Sequence, residues 1–581
     1  MKAGSDESDG RLDAGRPRRL PVLWLICVLF GLAGMFNLCL VLLARPLGMV
    51  VFGGLALLSF GVAVGLWLRW NPMRIAAVAV LALGSVLLLI GFSQDRLGEG
   101  ALNIVPVGIY LLIITHLLFR RAHFKVPREQ KPRLLSWPGL AAWAIVVFLG
   151  MSGILLLTVD DPAREFPGLE VEHRFVPDHE NGFVALERLL AEMPAWEDEE
   201  TRRLLETTGP AEAADPELWY AEATAVVRGW GPWLSGMHEV LARPHFAAPR
   251  AATVLDLEER VYGWLALTRE LARRLVLVSQ VHVHEGRPAE ALAAARQTIE
   301  LGLRICEGSN ALITYLAGVG VTAMGLEQTR GVAGSGVASL ELLRAEIERL
   351  EMDAALTRSV KRALALEFEF TARSFADLKD PRSLARLTEP GKAPAPAWAE
   401  KLLRDPMPVV KVNMSRNLLG DLFSSLVVRT ERYEPPAAEA TTGPFGIEYM
   451  TEEMNFLHFL RNPMGDILAV MLAPALNRTV QVHFRAVGDA RLTQVFLALR
   501  CYHLEHGRLP VSLDGLAPAY FDEVPVDPFA EEPFRYEPAA EPPRVYSVGP
   551  DQEPDDEDED EDERDDQVVE LTFAARQSEK H

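Results

Sequence analysis

A run of acidic residues near the C-terminus is the first candidate for chemistry in this sequence. The sixteen positions from Asp551 to Asp566 hold thirteen carboxylates. Carboxylate oxygens are ligands that Ca²⁺ prefers, provided that the chain turns around the ion. Adjacent acids also repel one another, so a long run without apolar residues favours a solvated loop. We predict a folded edge from Ser547 to Asp551 and a solvated insertion over residues 556–563.

Pairs of histidine and of glutamate elsewhere have a spacing that argues against metal binding. His282 and His284 are two residues apart, which on a helix separates their side chains by about 200°. The same spacing separates Glu367 from Glu369. A zinc ion needs its ligands on one face, so we interpret both pairs as structural.

A third pair, His503 and His506, does share a helical face because its members are three residues apart. The pair precedes Gly507, where glycine suits the left-handed cap and histidine suits the negative end of a helix. We interpret it as a helix terminus, with a metal site as the alternative. The sequence contains no Gly-x-Ser-x-Gly elbow, His-Glu-x-x-His helix or phosphate-binding loop.

Five uncharged apolar windows occupy most of the first quarter of the chain, at residues 20–44, 46–68, 75–94, 100–119 and 134–159. Each reaches the roughly 20 residues that a helix needs to cross about 30 Å of hydrocarbon. A bilayer offers backbone polar groups no partner outside the helix itself. The sequence therefore predicts a region of five transmembrane helices over residues 20–159. Since the windows hold no carboxylate, lysine or arginine, an anchor is favoured over a transport path.

Basic residues in the flanking loops predict the orientation of these helices. Three arginines lie in residues 16–19, two lie in residues 69–74 and six basic residues lie in residues 120–133, whereas the alternate loops carry few. Cytoplasmic loops are enriched in basic residues, so the tail of residues 1–19 is predicted to be cytoplasmic. An odd number of spans then places residues 160–581 outside the cytoplasm, in a multi-pass protein of the cytoplasmic (inner) membrane.

Charge restricts the partners of this predicted extracytoplasmic part. Residues 1–159 carry fifteen basic and seven acidic side chains, whereas residues 160–581 carry 43 and 73. Such an excess of acid repels nucleic acid and anionic lipid surfaces. Basic partners, and partners bridged by divalent cations, remain as the expected classes.

Residues 160–182 are rich in proline and lack a helical period, so they predict a stalk. Apolar residues then recur every three or four positions in several segments of residues 183–476, which predicts an extracytoplasmic helical domain. Cys306 lies in this domain and Cys501 lies beyond it. A disulfide between them and two separately buried thiols both remain open.

One passage of the helical domain, residues 281–301, resembles the turn and second helix of a tetratricopeptide repeat. Gly286 is expected to end one helix and Pro288 to open the next. Ala291 and Ala295 are small enough to let the paired helices approach closely. No second copy follows at a 34-residue step, although a solenoid needs three or more. We interpret the passage as a helical hairpin packed into the core, with a peptide groove as the alternative.

Short apolar stretches spaced by proline and glycine follow a long predicted helix that ends at Gly507. Residues 534–536 and 544–548 predict strands of a small antiparallel sheet laid on that helix. The expected core residues are Phe529, Phe534, Tyr536 and Tyr546. Residues 477–581 are therefore a predicted α+β module at the end of a mainly α chain.

The order of elements in this module resembles the globular domain of the type II secretion major pseudopilin. In that family a helix ending in Tyr is followed by a Gly-x-x-Pro step, a Pro-x-Asp-Pro-aromatic loop, a Pro-aromatic-x-Tyr strand, a Tyr-x-Ser-x-Gly strand and an Asp/Gly-rich loop. The matching residues are Tyr502, Gly507, Pro510, Leu513, Leu516, Pro525, Asp527, Pro528, Phe529, Pro533, Phe534, Tyr536, Tyr546, Ser547, Gly549 and Asp551. The likeness covers about 95 of the 581 residues.

The resemblance implies a calcium ion held by the final loop. The expected ligands are Asp551, Asp555 and Asp556, with Asp565 and Asp566 in reserve. This loop lacks the glycines that normally permit the tight turn around the ion. Pseudopilins also begin with a leader and one assembly helix, whereas this module follows a long region of other sequence, so entry into a pilus-like filament is not expected.

These features predict a non-catalytic membrane protein that presents its helical and pseudopilin-like regions for interaction or assembly, with an envelope or secretion-related protein as partner. The external part also resembles uncharacterised bacterial envelope proteins, a resemblance that implies no activity. The alternative is a membrane-anchored extracytoplasmic enzyme with an unrecognised site. Clustered histidines or carboxylates in a deep pocket of residues 183–476 would favour the enzyme, and an exposed apolar groove there would favour the binding protein.

Overall fold

The computed structural model describes a large part of the chain and leaves out several segments. The described residues are 23, 25–33, 59–69, 71–94, 100–119, 124, 159–171, 175–196, 198, 199, 201–203, 210, 213–249, 262–377, 411–435, 462–555 and 566–573. Contacts between residues group the chain into two units. The N-terminal unit comprises residues 1–159 and 379–409, and the main unit comprises residues 160–378 and 410–581.

The N-terminal unit contains helix α1, Asn71–Gln94, and helix α2, Gly100–Phe119, which pack against each other. Residues 25–33 and 59–67 are also helical. Apolar side chains of these segments are buried together in one cluster of Leu23, Ile26, Cys27, Phe30, Val62, Ala63, Leu66, Ala77, Leu81, Leu117 and Phe124. The N-terminal unit thus has a hydrophobic core of its own.

The prediction of five transmembrane helices is wrong. Crossing a bilayer requires a helix that is both long enough and apolar enough throughout, and among the described residues none meets both conditions. The described parts of the apolar windows instead bury side chains against one another in the cluster above. The inner-membrane localisation and the placement of residues 160–581 outside the cytoplasm rested on those spans and are corrected with them. Residues 34–58 and 134–158 of the windows lie outside the described part of the chain.

The main unit is predominantly helical, as predicted. The helices whose bounds are described are α3, Gly182–Ala191; α4, Pro216–Leu234; α5, Met237–Ala242; α6, Tyr262–His284; α7, Pro288–Glu307; α8, Leu312–Gly334; α9, Leu340–Arg349; α10, Asp353–Asp377; α11, Val412–Arg429; and α12, Pro463–His506. Helix α12 is a single helix that runs across the predicted domain boundary at residue 476. It packs against α8, α9, α10 and α11.

Local sequence explains several of the helix termini. The Asp215 carboxylate accepts hydrogen bonds from the N–H groups of Glu217 and Leu218, and Pro216 occupies the first position of α4. Gly286 adopts a positive φ of 70° in the turn after α6, and Pro288 then begins α7. The hairpin predicted from these two residues is present.

Residues of the predicted stalk lie against helix α11. The Asp160 carboxylate accepts hydrogen bonds from the backbone N–H groups of Asn413 and Met414, both at 3.0 Å, and so satisfies the start of that helix. Phe166 and Leu169 belong to the main hydrophobic core. This segment is therefore packed on the main unit over residues 160–169.

Helices α7 and α8 approach each other to backbone contact. A Cβ atom added at Gly318 of α8 would lie 2.7 Å from the Gly302 carbonyl oxygen and 2.6 Å from the Cys306 sulfur. One added at Gly325 would lie 2.9 Å from the Ala295 carbonyl oxygen. Only glycine fits such positions, so this small-residue seam fixes the separation of the two helices.

A small antiparallel sheet completes the main unit. Its strands are β1, Arg535–Glu537; β2, Arg544–Ser547; and β3, Gln567–Glu570, in the order β1-β2-β3. Both β2 and β3 contact α12, and Val545, Phe534 and Phe529 are buried between sheet and helix. The predicted small sheet on the long helix is thus confirmed.

Two glycines of α8 provide a matched test of the seam. We expect Gly318→Ala to lower the free energy of unfolding by about 2 kcal/mol, because the added methyl group has no space against α7. Gly320→Ala places the same methyl group where no atom lies within 4 Å and should raise stability by about 0.5–1 kcal/mol through helix propensity. Urea-induced unfolding followed by circular dichroism measures both values. Equal effects of the two substitutions would contradict the seam.

Candidate functional site

The predicted calcium loop is closed at its base by hydrogen bonds from backbone N–H groups to carboxylates. The Asp555 N–H donates to the Asp566 carboxylate at 3.0 Å, and the Asp566 N–H donates to the Asp555 carboxylate at 3.1 Å. The Asp551 carboxylate accepts from the Glu553 N–H at 2.9 Å. Asp555 and Asp566, which lie between β2 and β3, are therefore held together.

Calcium binding by this loop stays a prediction. Asp556 and Asp565 lie outside the described residues, so the predicted set is described only at Asp551, Asp555 and Asp566. Over the described ranges no group of three His, Cys, Asp or Glu side chains is arranged to hold a metal ion.

The histidine pairs do not form joint sites. His284 stacks on Tyr220 with ring centroids 3.9 Å apart, whereas His282 lines a cleft. At the end of α12, His506 stacks on Tyr502 and His503 contacts Phe573.

The remaining predicted groups have structural positions. Burial raises the pKa of Glu367, whose carboxylate accepts the Leu312 N–H at the start of α8. Cys306 and Cys501 are both buried free thiols, so the disulfide is absent.

A cleft of about 430 Å³ lies between helices α4, α6 and α7. Helix α6 supplies its apolar floor, and α4 and α7 supply its walls. The residues of α6 recur at helical spacing on one face. The lining residues are Thr224, Val227, Arg228, Gly231, Leu234, Ser235, His238, Leu275, Val278, Val281, His282, Glu285, Arg287, Glu290, Ala293, Ala294 and Gln297. We call this feature the hairpin cleft, since the turn between α6 and α7 closes one end.

Charged side chains gather at the hairpin end of the cleft around Glu285. The Glu285 carboxylate bonds to the Arg287 guanidinium, and the Arg228 guanidinium lies 4.0 Å from it. His282 Nδ1 lies 3.6 Å from Glu285 Oε2, which is longer than a hydrogen bond. The bond to Arg287 lowers the pKa of Glu285, and burial, followed by repulsion from Arg287, lowers the pKa of His282. Glu285 is therefore an anion bonded to Arg287, with the Arg228 guanidinium and the His282 ring near it but beyond hydrogen-bond length.

The wall formed by α4 is held in place by an arginine inside a cage of tryptophans. The Arg274 guanidinium of α6 lies 4.9 Å from the ring centroid of Trp196, 4.7 Å from that of Trp230 and 5.6 Å from that of Trp233. Arg274 is 3% exposed, and it bonds to the Glu270 carboxylate and the Pro194 carbonyl. Two of the tryptophans belong to α4, so cation–π contacts attach that wall to the floor.

The adjacent arginine of the same helix gives the control for this cage. We expect Arg274→Met to lower the free energy of unfolding by about 2 kcal/mol, since half-buried Glu270 loses its charged partner and the tryptophans lose their cation–π contacts. Tryptophan emission should change at the same time, because three indole rings lose a cation. Arg273→Met removes an exposed arginine and should leave both measurements at their wild-type values. If Arg274→Met changes neither the free energy of unfolding nor the tryptophan emission, the cage does not hold α4.

A second cleft, of about 300 Å³, lies where α12 meets the loop before the sheet. Its buried polar groups already have structural partners. The Asp527 carboxylate accepts from the Phe529 N–H, the Ser547 hydroxyl and the Val548 N–H, which ties that loop to β2. Arg491 bonds to the Asp353 carboxylate and to the Val526 carbonyl.

His483 is a deeply buried titratable group of this second cleft. It is 1% exposed, its Nδ1 lies 3.1 Å from the Tyr315 hydroxyl, and it has a hydrogen bond with the backbone of Thr430. Burial, with repulsion from Lys361, lowers its pKa to about 4. The structure therefore holds His483 in the neutral form.

This depressed pKa predicts acid sensitivity. The stability from neutral His483 is complete above about pH 6.5, where the histidine of the unfolded chain is also neutral, and it is lost as the pH falls towards 4. The free energy of unfolding should fall by about 2 kcal/mol more between pH 7 and pH 5 in the wild type than in His483→Gln. Exposed His506 supplies the control, since His506→Gln should keep the wild-type pH dependence in urea titrations. An unchanged slope in His483→Gln would refute the assignment.

Sequence reasoning identified part of the hairpin cleft and missed its opposite wall. Gly286 and Pro288 indicate the hairpin, and His282 belongs to one of the histidine pairs. Arg228, Arg274 and the three tryptophans carry no motif, and they meet only because α4 folds against α6. A spacing rule could not have found them.

Comparison with protein-family models, with curated proteins and with solved structures finds no match to this chain.

Proposed function

We propose that this chain is a non-catalytic binding protein that holds a short segment of a partner polypeptide in the hairpin cleft. The observation that carries the proposal is the form of that cleft, an apolar floor between two helical walls with charged groups at one end. Its volume of about 430 Å³ falls within the roughly 300–1,000 Å³ of ligand sites that combine apolar lining with a few polar groups.

The length of the floor suits a short extended peptide. Leu275 of α6 and Glu285, which directly follows that helix, are ten residues apart, which corresponds to about 15 Å along the helix axis. An extended chain advances about 3.3–3.6 Å per residue, so about four residues fit that length. Alternate side chains of such a segment point to one face and would reach the floor residues Leu275, Val278 and Val281.

The state of the charged groups favours binding over catalysis. Clustered carboxylates and histidines are present in this cleft, which is the pattern expected of the alternative enzyme. Glu285, however, is engaged by Arg287, and its separation from His282 Nδ1 exceeds hydrogen-bond length. A general base is normally oriented by such a bond. The charged groups at this end of the cleft are therefore better placed to position a ligand than to transfer a proton.

Filling the cleft tests this function. The probe is a positional-scanning library of fluorescein-labelled, C-amidated hexapeptides, with binding to the full chain measured by fluorescence anisotropy. Ala293 lines the cleft, and Ala293→Trp should weaken the tightest peptides at least tenfold by occupying their space. Ala289 lies exposed on the same helix and does not line the cleft, so Ala289→Trp should leave binding unchanged.

Peptide binding that is equally strong in Ala293→Trp would place the peptide elsewhere and overturn the proposal. The absence of any library peptide that binds would overturn it as well. Circular dichroism of both variants verifies that they are folded.

A further inference from the structure

We infer that the bound polypeptide is anchored at the hairpin end of the cleft by a basic side chain, lysine or arginine, whose acceptor is the Glu290 carboxylate. This inference rests on the proposed function and names the chemistry of its ligand. Three properties of the described residues carry it: the state of Glu290, the state of the neighbouring arginines, and the charge of the surrounding chain.

Glu290 presents an acceptor on the wall formed by α7. It belongs to the first turn of that helix, it is exposed, and it lines the cleft. Over the described part of the chain its carboxylate has neither a salt bridge nor a hydrogen bond with another residue. Nearby Glu285 differs in this respect, because Arg287 and Arg228 already surround it. A cationic ligand therefore meets one carboxylate that no protein group has neutralised.

The two arginines of the cleft lie against Glu285, so an anionic ligand would find them already facing a carboxylate. Arg287 bonds to Glu285, and Arg228 approaches the other oxygen of the same carboxylate at 4.0 Å. His282 contributes no full positive charge near pH 7, since burial lowers its pKa below the ordinary value. An acidic ligand group would have to compete with Glu285 for these donors.

The charge of the chain favours the same sign of ligand at longer range. Residues 160–581 carry 73 acidic and 43 basic side chains. Such a field attracts cationic partners and repels anionic ones, over distances limited by salt. The net charge of the chain and the Glu290 carboxylate, which has no ion-pair partner among the described residues, thus both favour a basic side chain on the ligand.

The apolar floor defines the rest of the expected segment. It extends from the charged end towards Leu275 and Leu234, away from Glu290. A basic residue in the hairpin end therefore places the next inward-facing side chains on Val281, Val278 and Leu275. The geometry assigns the ligand as a basic residue with apolar residues at alternate positions within about four residues.

Three peptides and three variants test this assignment. The tightest hexapeptide from the library is resynthesised with lysine, norleucine or glutamate at its most charge-sensitive position. Anisotropy titrations with the full chain should rank lysine about fivefold tighter than norleucine, as a partly exposed ion pair allows, and glutamate weakest. The lysine preference should shrink as salt is raised.

The variants test the negative charge of Glu290 and the positive charge of Arg228 separately. Glu290→Gln should bring the lysine and norleucine peptides to equal affinity. Glu300→Gln, on the same helix but outside the cleft, should retain the fivefold preference. Arg228→Gln should strengthen the lysine peptide, because it removes a positive charge near the anchor.

Each other outcome has a definite meaning. Equal binding of lysine and norleucine peptides in the wild type would overturn the basic anchor, and the proposed function would stand as long as Ala293→Trp still blocked both peptides. A preference for the glutamate peptide that Arg228→Gln abolishes would identify an acidic anchor and also overturn the inference. If Ala293→Trp affects none of the three peptides, the proposed function fails together with the inference.

Discussion

Helices α7 and α8 touch at their backbones, and the remainder of the main unit is arranged around that contact. Gly302, Gly318 and Gly325 remove the side chains that would otherwise separate the two helices. This contact sets α7 at a fixed distance from α8, which in turn packs on the long helix α12. Because α7 is also a wall of the hairpin cleft, the geometry of the cleft depends on the small residues of a seam on another face of the same helix.

Buried polar groups of the main unit join neighbouring elements. Arg274 attaches the floor of the cleft to the tryptophans of the opposite wall, and Asp527 attaches the loop before the sheet to β2. His483, held neutral, links α12 to Tyr315 of α8. These groups are costly to bury alone and stable once partnered. The charged residues at the hairpin end of the cleft differ, since Glu290 is exposed on its lining.

The sequence predicted those elements that local patterns determine. Period-three and period-four apolar spacing indicated the helices, Gly286 and Pro288 indicated the hairpin, and proline-spaced apolar stretches indicated the sheet. An uncharged apolar window is necessary for a transmembrane helix but also occurs where helices bury one another, so the window pattern gave a wrong result. The sequence indicated only one side of the cleft, because Arg228 and Glu290 line it together although they are about sixty positions apart in the chain.

Hydrogen–deuterium exchange of the full chain tests the central claim, that the hairpin cleft is the binding surface, most directly. With a saturating hexapeptide from the library, backbone amides of residues 224–238 and 281–297 should exchange more slowly than in the free protein, because these segments form the two walls and the closed end. Residues 535–547 of the sheet should exchange at the same rate in both states. Protection confined to the sheet or to the N-terminal unit, with residues 224–238 and 281–297 unchanged, would contradict the account.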